Sequence, residues 1–98
     1  MGGGPSMPAL SQQEIETRLG GLSSWKVVNG ELERVFTFAD FVAALAFVNQ
    51  VGSLAEEAGH HPDIDIRYNR VRLALVTHDA GGITAKDFEL AAALDRLA

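Results

Sequence analysis

All three histidines of the chain fall between residues 60 and 78: His60 and His61 are adjacent and followed by Pro62, and His78 comes later. Carboxylates flank them, with Glu56 four residues before His60 and Asp87 nine residues after His78. An imidazole gives and takes protons near neutral pH better than any other side chain. Three imidazoles with two carboxylates suit acid–base catalysis on a bound ring, a divalent metal centre, or a pH-sensitive binding surface. Other chemistries lack their residues. The stretch GGITAKD at 81–87 has the wrong spacing for a phosphate loop, and neither HExxH nor a Ser-His-Asp signature occurs. With no cysteine there is no thiolate nucleophile, thiolate zinc site or disulfide.

Each residue also has a plain structural reading. An imidazolium just past a helix C-terminus gains roughly 0.3–1 kcal/mol from the helix dipole, and one histidine suffices for that. Glu57 reads as solvated surface, and Glu56, one helical turn before His60, as surface or as a group that orients an imidazole. Pro62 holds His61 extended, so the two imidazoles sit rigidly at the end of an element. Asp87 projects along the apolar stripe of the last helix, where a carboxylate is costly unless bonded. It is either the third residue of a capping box opened by Thr84 or an acceptor for an imidazole.

The elements that must carry these groups are readable in order. Residues 1–9 are Gly/Pro/Ser-rich at their start and read as a disordered tail, with one domain over 10–98. Ser11 with Glu14 forms a capping box, Ile15 and Leu19 follow at helical spacing, and Gly20-Gly21 stops the helix. Trp25, Val27 and Val28 begin a hairpin turned at Asn29-Gly30 and returned over about Leu32–Phe38. Asp40 caps a long helix reaching Ala58, its stripe formed by Phe41, Ala44, Leu45, Val48 and Ala55 and widened by Phe47, Val51 and Leu54. Gly59 is the left-handed cap. Ile64, Ile66 and Tyr68 alternate, a turn comes at Asn69, and Val71, Leu73 and Leu75 alternate up to Thr77. His78 closes that strand, Gly81-Gly82 forms a loop, and a last helix runs from Thr84 to about Leu97. The order α-β-β-α-β-β-α predicts an α+β domain with a four-stranded, mainly antiparallel sheet and three helices on one face.

At 98 residues with 47% hydrophobic side chains, the chain can form one core and little more. A net charge of −5 disfavours direct nucleic-acid binding. Arg67, Arg70 and Arg72 are close in sequence, but alternation sends Arg67 to the face opposite the other two. No apolar run approaches the roughly 20 residues of a membrane span, and no secretory signal opens the chain, so the expected location is the cytoplasm. A sheet covered on one side leaves a face and two edges for association, which predicts a homodimer or homotetramer.

Glu56, His60-His61-Pro62, Tyr68, His78 and Asp87 stand in register with an acid, three spacers, His-His-Pro, an aromatic, a later His and an Asp. In that pattern, and in the text HHPDIDIRYNRVRLALVTHDAGGITAKDFELA, the chain resembles the pterin-4a-carbinolamine dehydratase (4a-hydroxytetrahydrobiopterin dehydratase) family. The resemblance extends over roughly residues 10–98, including Trp25 and the Phe36–Phe41 segment. It implies a hydro-lyase that eliminates water from a 4a-hydroxytetrahydropterin to give the quinonoid dihydropterin, without metal or cofactor, in tetrahydrobiopterin recycling. It implies His60 and His78 as the acid–base pair and His61 as the residue that binds and positions the pterin. Glu56, Asp87, Pro62 and Thr77 are expected to bind or orient. The implied partners are the pterin itself, further copies of the chain, and an aromatic amino acid hydroxylase in the same pathway. Two alternatives stay open: a non-enzymatic protein-binding or dimerisation module of the same fold, and a three-histidine metal site. Adjacent His60 and His61 diverge from an extended backbone, which makes a shared ion awkward.

Overall fold

A computed structural model describes residues 8–98; of the tail expected over 1–9, residues 1–7 lie outside the described part. Helix α1 (Gln12–Leu19) begins at the expected box: Glu14 N–H donates to the Ser11 hydroxyl, and Ser11 N–H to the Glu14 carboxylate. Strands β1 (Lys26–Val28) and β2 (Glu31–Thr37) form a hairpin whose two turn residues, Asn29 and Gly30, have φ of 51° and 78°. Such a doubly left-handed turn matches the twist of paired strands, and Asn and Gly tolerate it best. Helix α2 (Phe41–Ala58) is capped by the Asp40 carboxylate on Ala43 N–H. It ends at Gly59, whose φ of 65° turns the chain toward the histidines.

Strands β3 (Asp63–Arg67) and β4 (Arg70–Leu75) complete a four-stranded antiparallel sheet in the order β1-β2-β4-β3. A short 3-10 turn (His78–Ala80) leads through Gly81-Gly82 to α3 (Ala85–Asp95). The three helices and four antiparallel strands make the α+β arrangement in the order read from the sequence. One face of the sheet carries Leu32, Phe36, Val71, Leu73 and Leu75, buried with Ala44, Phe47 and Val51 of α2 and Leu90, Ala91 and Leu94 of α3. Phe36 and Phe47 meet with ring centroids 4.7 Å apart, and Trp25 meets Phe36 edge-on at 6.1 Å. Burying each such side chain stabilises by roughly 1.5–3 kcal/mol. Asp95 holds the far end of α3 to the sheet, accepting from Trp25 Nε1 at 2.8 Å and Arg34 Nη1 at 2.6 Å.

Three expectations change. The buried stripe of α2 runs through Ala44, Phe47, Val51 and Ala55, while Phe41 and Leu45 are exposed, because the helix lays a neighbouring line of residues on the sheet. Tyr68 is not a strand residue: it sits in the β3–β4 turn with φ of 51°, its ring exposed. That two-residue turn makes Arg67 the direct partner of Arg70, so Arg67, Arg70 and Arg72 share the open face of the sheet. They face acids there, Arg67 pairing with Asp65 and Arg72 with Glu33, so the face is mixed in charge. No helix is long and apolar enough to cross a membrane among the described residues.

Candidate active site

His60, His61 and Pro62 form the link from the C-terminal cap of α2 into β3. Gly59 sets the direction of this link with its left-handed backbone, and the His60 N–H donates to the Ala55 carbonyl. Pro62 is buried at the start of β3 and anchors the segment. Thr77 follows β4 and is fixed by an isolated antiparallel bridge to Gly82, the two residues exchanging N–H···O=C bonds of 3.1 and 3.3 Å. His78 comes immediately after it, at the start of the 3-10 turn rather than at a strand end, because β4 stops at Leu75.

These two segments border one recess of about 280 Å³, lined by His60, His61, Thr77 and His78 together with Asp79 and Lys86. A larger hollow of about 430 Å³ lies along α2 by Asn49, Ser53, Leu54 and Leu97, with one carboxylate, Glu57, and no imidazole. Of the two, the smaller holds the imidazoles.

Behind His60 stands Asp87, fully buried in the first turn of α3, with Oδ1 2.5 Å from the imidazole Nε2. Its other oxygen accepts from Thr77 Oγ1 at 2.9 Å and from Thr84 N–H at 2.8 Å. The capping box and the imidazole contact, framed as two readings of Asp87, are therefore both present, one at each carboxylate oxygen. A buried carboxylate needs such a full set of donors, since an unbonded one costs several kcal/mol.

Glu56 orients an imidazole, but not the one expected. Its Oε2 lies 2.5 Å from Nε2 of His61, five residues on, while His60 turns inward to Asp87. The rule that residues four apart face each other holds only while the helix continues, and this helix ends at Ala58. The pair is open to solvent, with His61 60% and Glu56 78% exposed, so it aligns more than it stabilises. His78 is exposed and takes no side-chain partner among the described residues. Nor do any three His, Asp or Glu side chains there gather at metal-ligand spacing; the adjacent imidazoles go to different carboxylates.

Of the seven residues singled out in sequence, His60, His61, Thr77 and His78 line the recess. Asp87 bonds His60 from behind it, Glu56 bonds His61 at the surface, and buried Pro62 directly follows His61 in the chain. Three residues escaped that reading. Asp79 and Lys86 line the recess through the fold of the 3-10 turn and the first turn of α3, which local spacing does not reveal. Thr84, seen only as a helix cap, touches Thr77 at 2.8 Å and joins the network around Asp87. Its place in the capping box beside Asp87 was the available signal.

Residues 8–97 match the family model described as pterin 4 alpha carbinolamine dehydratase. The chain belongs to this family. A relative from Acidobacterium capsulatum, named "Putative pterin-4-alpha-carbinolamine dehydratase", is 64% identical over 91 residues, 93% of this chain and 99% of the relative. One of the same name from Chloroflexus aurantiacus is 62% identical, covering 93% and 98%. Among solved structures, a transcriptional coactivator/pterin dehydratase from Brucella melitensis superposes with a TM-score of 0.87 at 34% identity, over 92% of this chain and 98% of that one. A pterin dehydratase-like protein identified as a RuBisCO assembly factor in the alpha-carboxysome superposes at 0.61 with 26% identity, over 74% and 84%. The dehydratase fold thus also occurs, by that title, in an assembly role.

Proposed function

We propose that the chain eliminates water from a 4a-hydroxytetrahydropterin to give the quinonoid dihydropterin, with imidazoles as the acid and base. The observation that carries this reading is the recess bordered by His60 and His78 from two separate segments, with His60 backed by buried Asp87. In the reaction a proton reaches the 4a-hydroxyl, the C4a–O bond breaks and water departs. The N5–H proton is removed, and its electron pair forms the C4a=N5 bond, so atoms and charge balance. His60 and His78 exchange these protons. His61, aligned by Glu56, binds and positions the ring; Pro62 and Thr77 fix the backbone and the carboxylate that hold the imidazoles in place. The substrate arises when a pterin-dependent aromatic amino acid hydroxylase uses oxygen, which places the reaction in tetrahydrobiopterin recycling.

Acid–base assistance contributes roughly 10²–10⁴-fold. Replacing His60 or His78 by Ala is expected to slow dehydration of the carbinolamine by that order, measured by stopped-flow absorbance. His78 is exposed, so its variant keeps the fold and reports chemistry alone. Wild-type rates in both variants would end the proposal.

The same reading includes a homo-oligomer. α2 carries no charge between Asp40 and Glu56, and exposes Phe41, Val42 and Leu45 over its first two turns. An uncharged apolar face on a chain of net charge −5 is where two copies approach with least repulsion.

A further inference from the structure

The helix cap explains why Thr84 and Asp87 bond to each other, but it does not require Thr77. Thr77 lies two residues past β4, its side chain is buried, and it donates its single hydroxyl proton to Asp87 Oδ2 at 2.9 Å. Its own oxygen lies 2.8 Å from the Thr84 hydroxyl. Thr84 Oγ1 accepts the Lys86 N–H at 3.2 Å, so its proton is free to point the other way. The bonds therefore run in one direction: Thr84 O–H to Thr77 O–H to Asp87 Oδ2. Thr84 N–H adds a second donor to that oxygen at 2.8 Å. A carboxylate supplied in this way cannot rotate without losing two bonds, which leaves Oδ1 aimed at His60 Nε2. As a carboxylate it only accepts, so Nε2 carries the hydrogen. Among the described residues His60 Nδ1 has no hydrogen-bond partner, and no unpartnered side-chain nitrogen or oxygen there is sealed from the surface. Nδ1 is the nitrogen left for a ligand.

We propose that Thr84 and Thr77 are positioning residues that lock Asp87, hold His60 with its hydrogen on Nε2, and so make Nδ1 the atom that exchanges a proton with the substrate. The chain also ties the two histidine segments together, since Thr77 is joined to His78 by one peptide bond. The identity of the reaction at Nδ1 rests on the dehydratase reading, whereas the state of the imidazole does not.

Ring ¹⁵N NMR of the full-length protein without ligand tests the imidazole directly. The expected spectrum shows His60 with a protonated Nε2 and a bare Nδ1; a bare Nε2 in the wild type, or an even mixture of the two, overturns the proposal. Thr77→Val keeps the volume and removes the hydroxyl. Its His60 nitrogen shifts should move toward the tautomeric average, with kcat falling about tenfold and KM changing less than about twofold, the effect of one lost hydrogen bond. Thr77→Ser should restore both. Thr84→Gly, which preserves most of the cap's contribution, should move the same His60 shifts in the same direction. Unchanged His60 shifts in Thr77→Val, or in Thr84→Gly, would remove that residue from the chain of positioning groups. A wild-type protein with the expected tautomer but no dehydration of the carbinolamine would end the dehydratase reading and leave the positioning result standing.

Discussion

Asp87 and Glu56 each stand 2.5 Å from an imidazole nitrogen, yet their surroundings are opposite. Asp87 is fully buried and carries three donors; Glu56 is 78% exposed and carries one. Removing charge from a buried acceptor strands its donors, whereas water replaces a lost partner at the surface. Asp87→Asn is therefore expected to cost about 1–3 kcal/mol of stability, and Glu56→Gln less than about 0.5 kcal/mol. Urea unfolding of the two variants decides this, and equal losses would contradict it. At this scale the sequence was informative where a rule is local. Thr84 and Asp87 at capping-box spacing pointed to the bonded carboxylate, and His-His-Pro lies at the candidate recess. Which carboxylate meets which imidazole was not legible, because it depends on the direction the chain takes after Gly59. Lys86 and Asp79 were hidden for a related reason: only the return of α3 and the 3-10 turn beside the histidines makes them neighbours.

The elements end where single residues make them end. Gly59 has a φ of 65° and open space around the position a Cβ would take, so Gly59→Ala meets no neighbour and pays only for the backbone. That penalty is roughly 1 kcal/mol. The next two residues are His60 and His61, so the same variant should also lower kcat, read in parallel from urea melts and turnover. At the start of α1, the Ser11 backbone N–H and then its side chain hold Glu14 below the usual carboxylate range. A carboxylate with a lowered value in the folded state contributes in full above its unfolded value and loses that contribution as pH falls through the folded one. The protection of the α1 amides against hydrogen exchange, relative to their intrinsic rates, should accordingly fall on the acid side of the carboxylate range, and Glu14→Gln should flatten that dependence. Element boundaries were legible because Ser11, Asn29-Gly30, Asp40 and Gly59 are local signals. The faces of β3 were not. Counting alternation through residues 67–70 puts Arg67 and Arg70 on opposite sides, but a two-residue turn resets the count and makes them partners.

For the molecule as a whole, the helices cover one side of the sheet and α2 still presents Val42, 74% exposed, beside Phe41 and Leu45. If this face joins copies of the chain, Val42→Glu should shift the mass measured by light scattering toward the monomer at micromolar concentration while far-ultraviolet circular dichroism is retained. A wild type that is monomeric under the same conditions would refute the proposed assembly. The general architecture was legible from the order of elements, since helices and strands with apolar stripes have few ways to share one core. Which line of α2 enters that core was not, because α2 is apolar nearly all round and its register depends on the sheet it meets. Asp87 both completes the capping box of α3 and bonds His60 from behind the recess, so a change there weakens the fold and the site together. In a living cell such a variant would be cleared by proteases before its chemistry could matter. Inherited loss at this position should therefore register as missing protein, whereas loss at exposed His78 should register as normal amounts of an idle one.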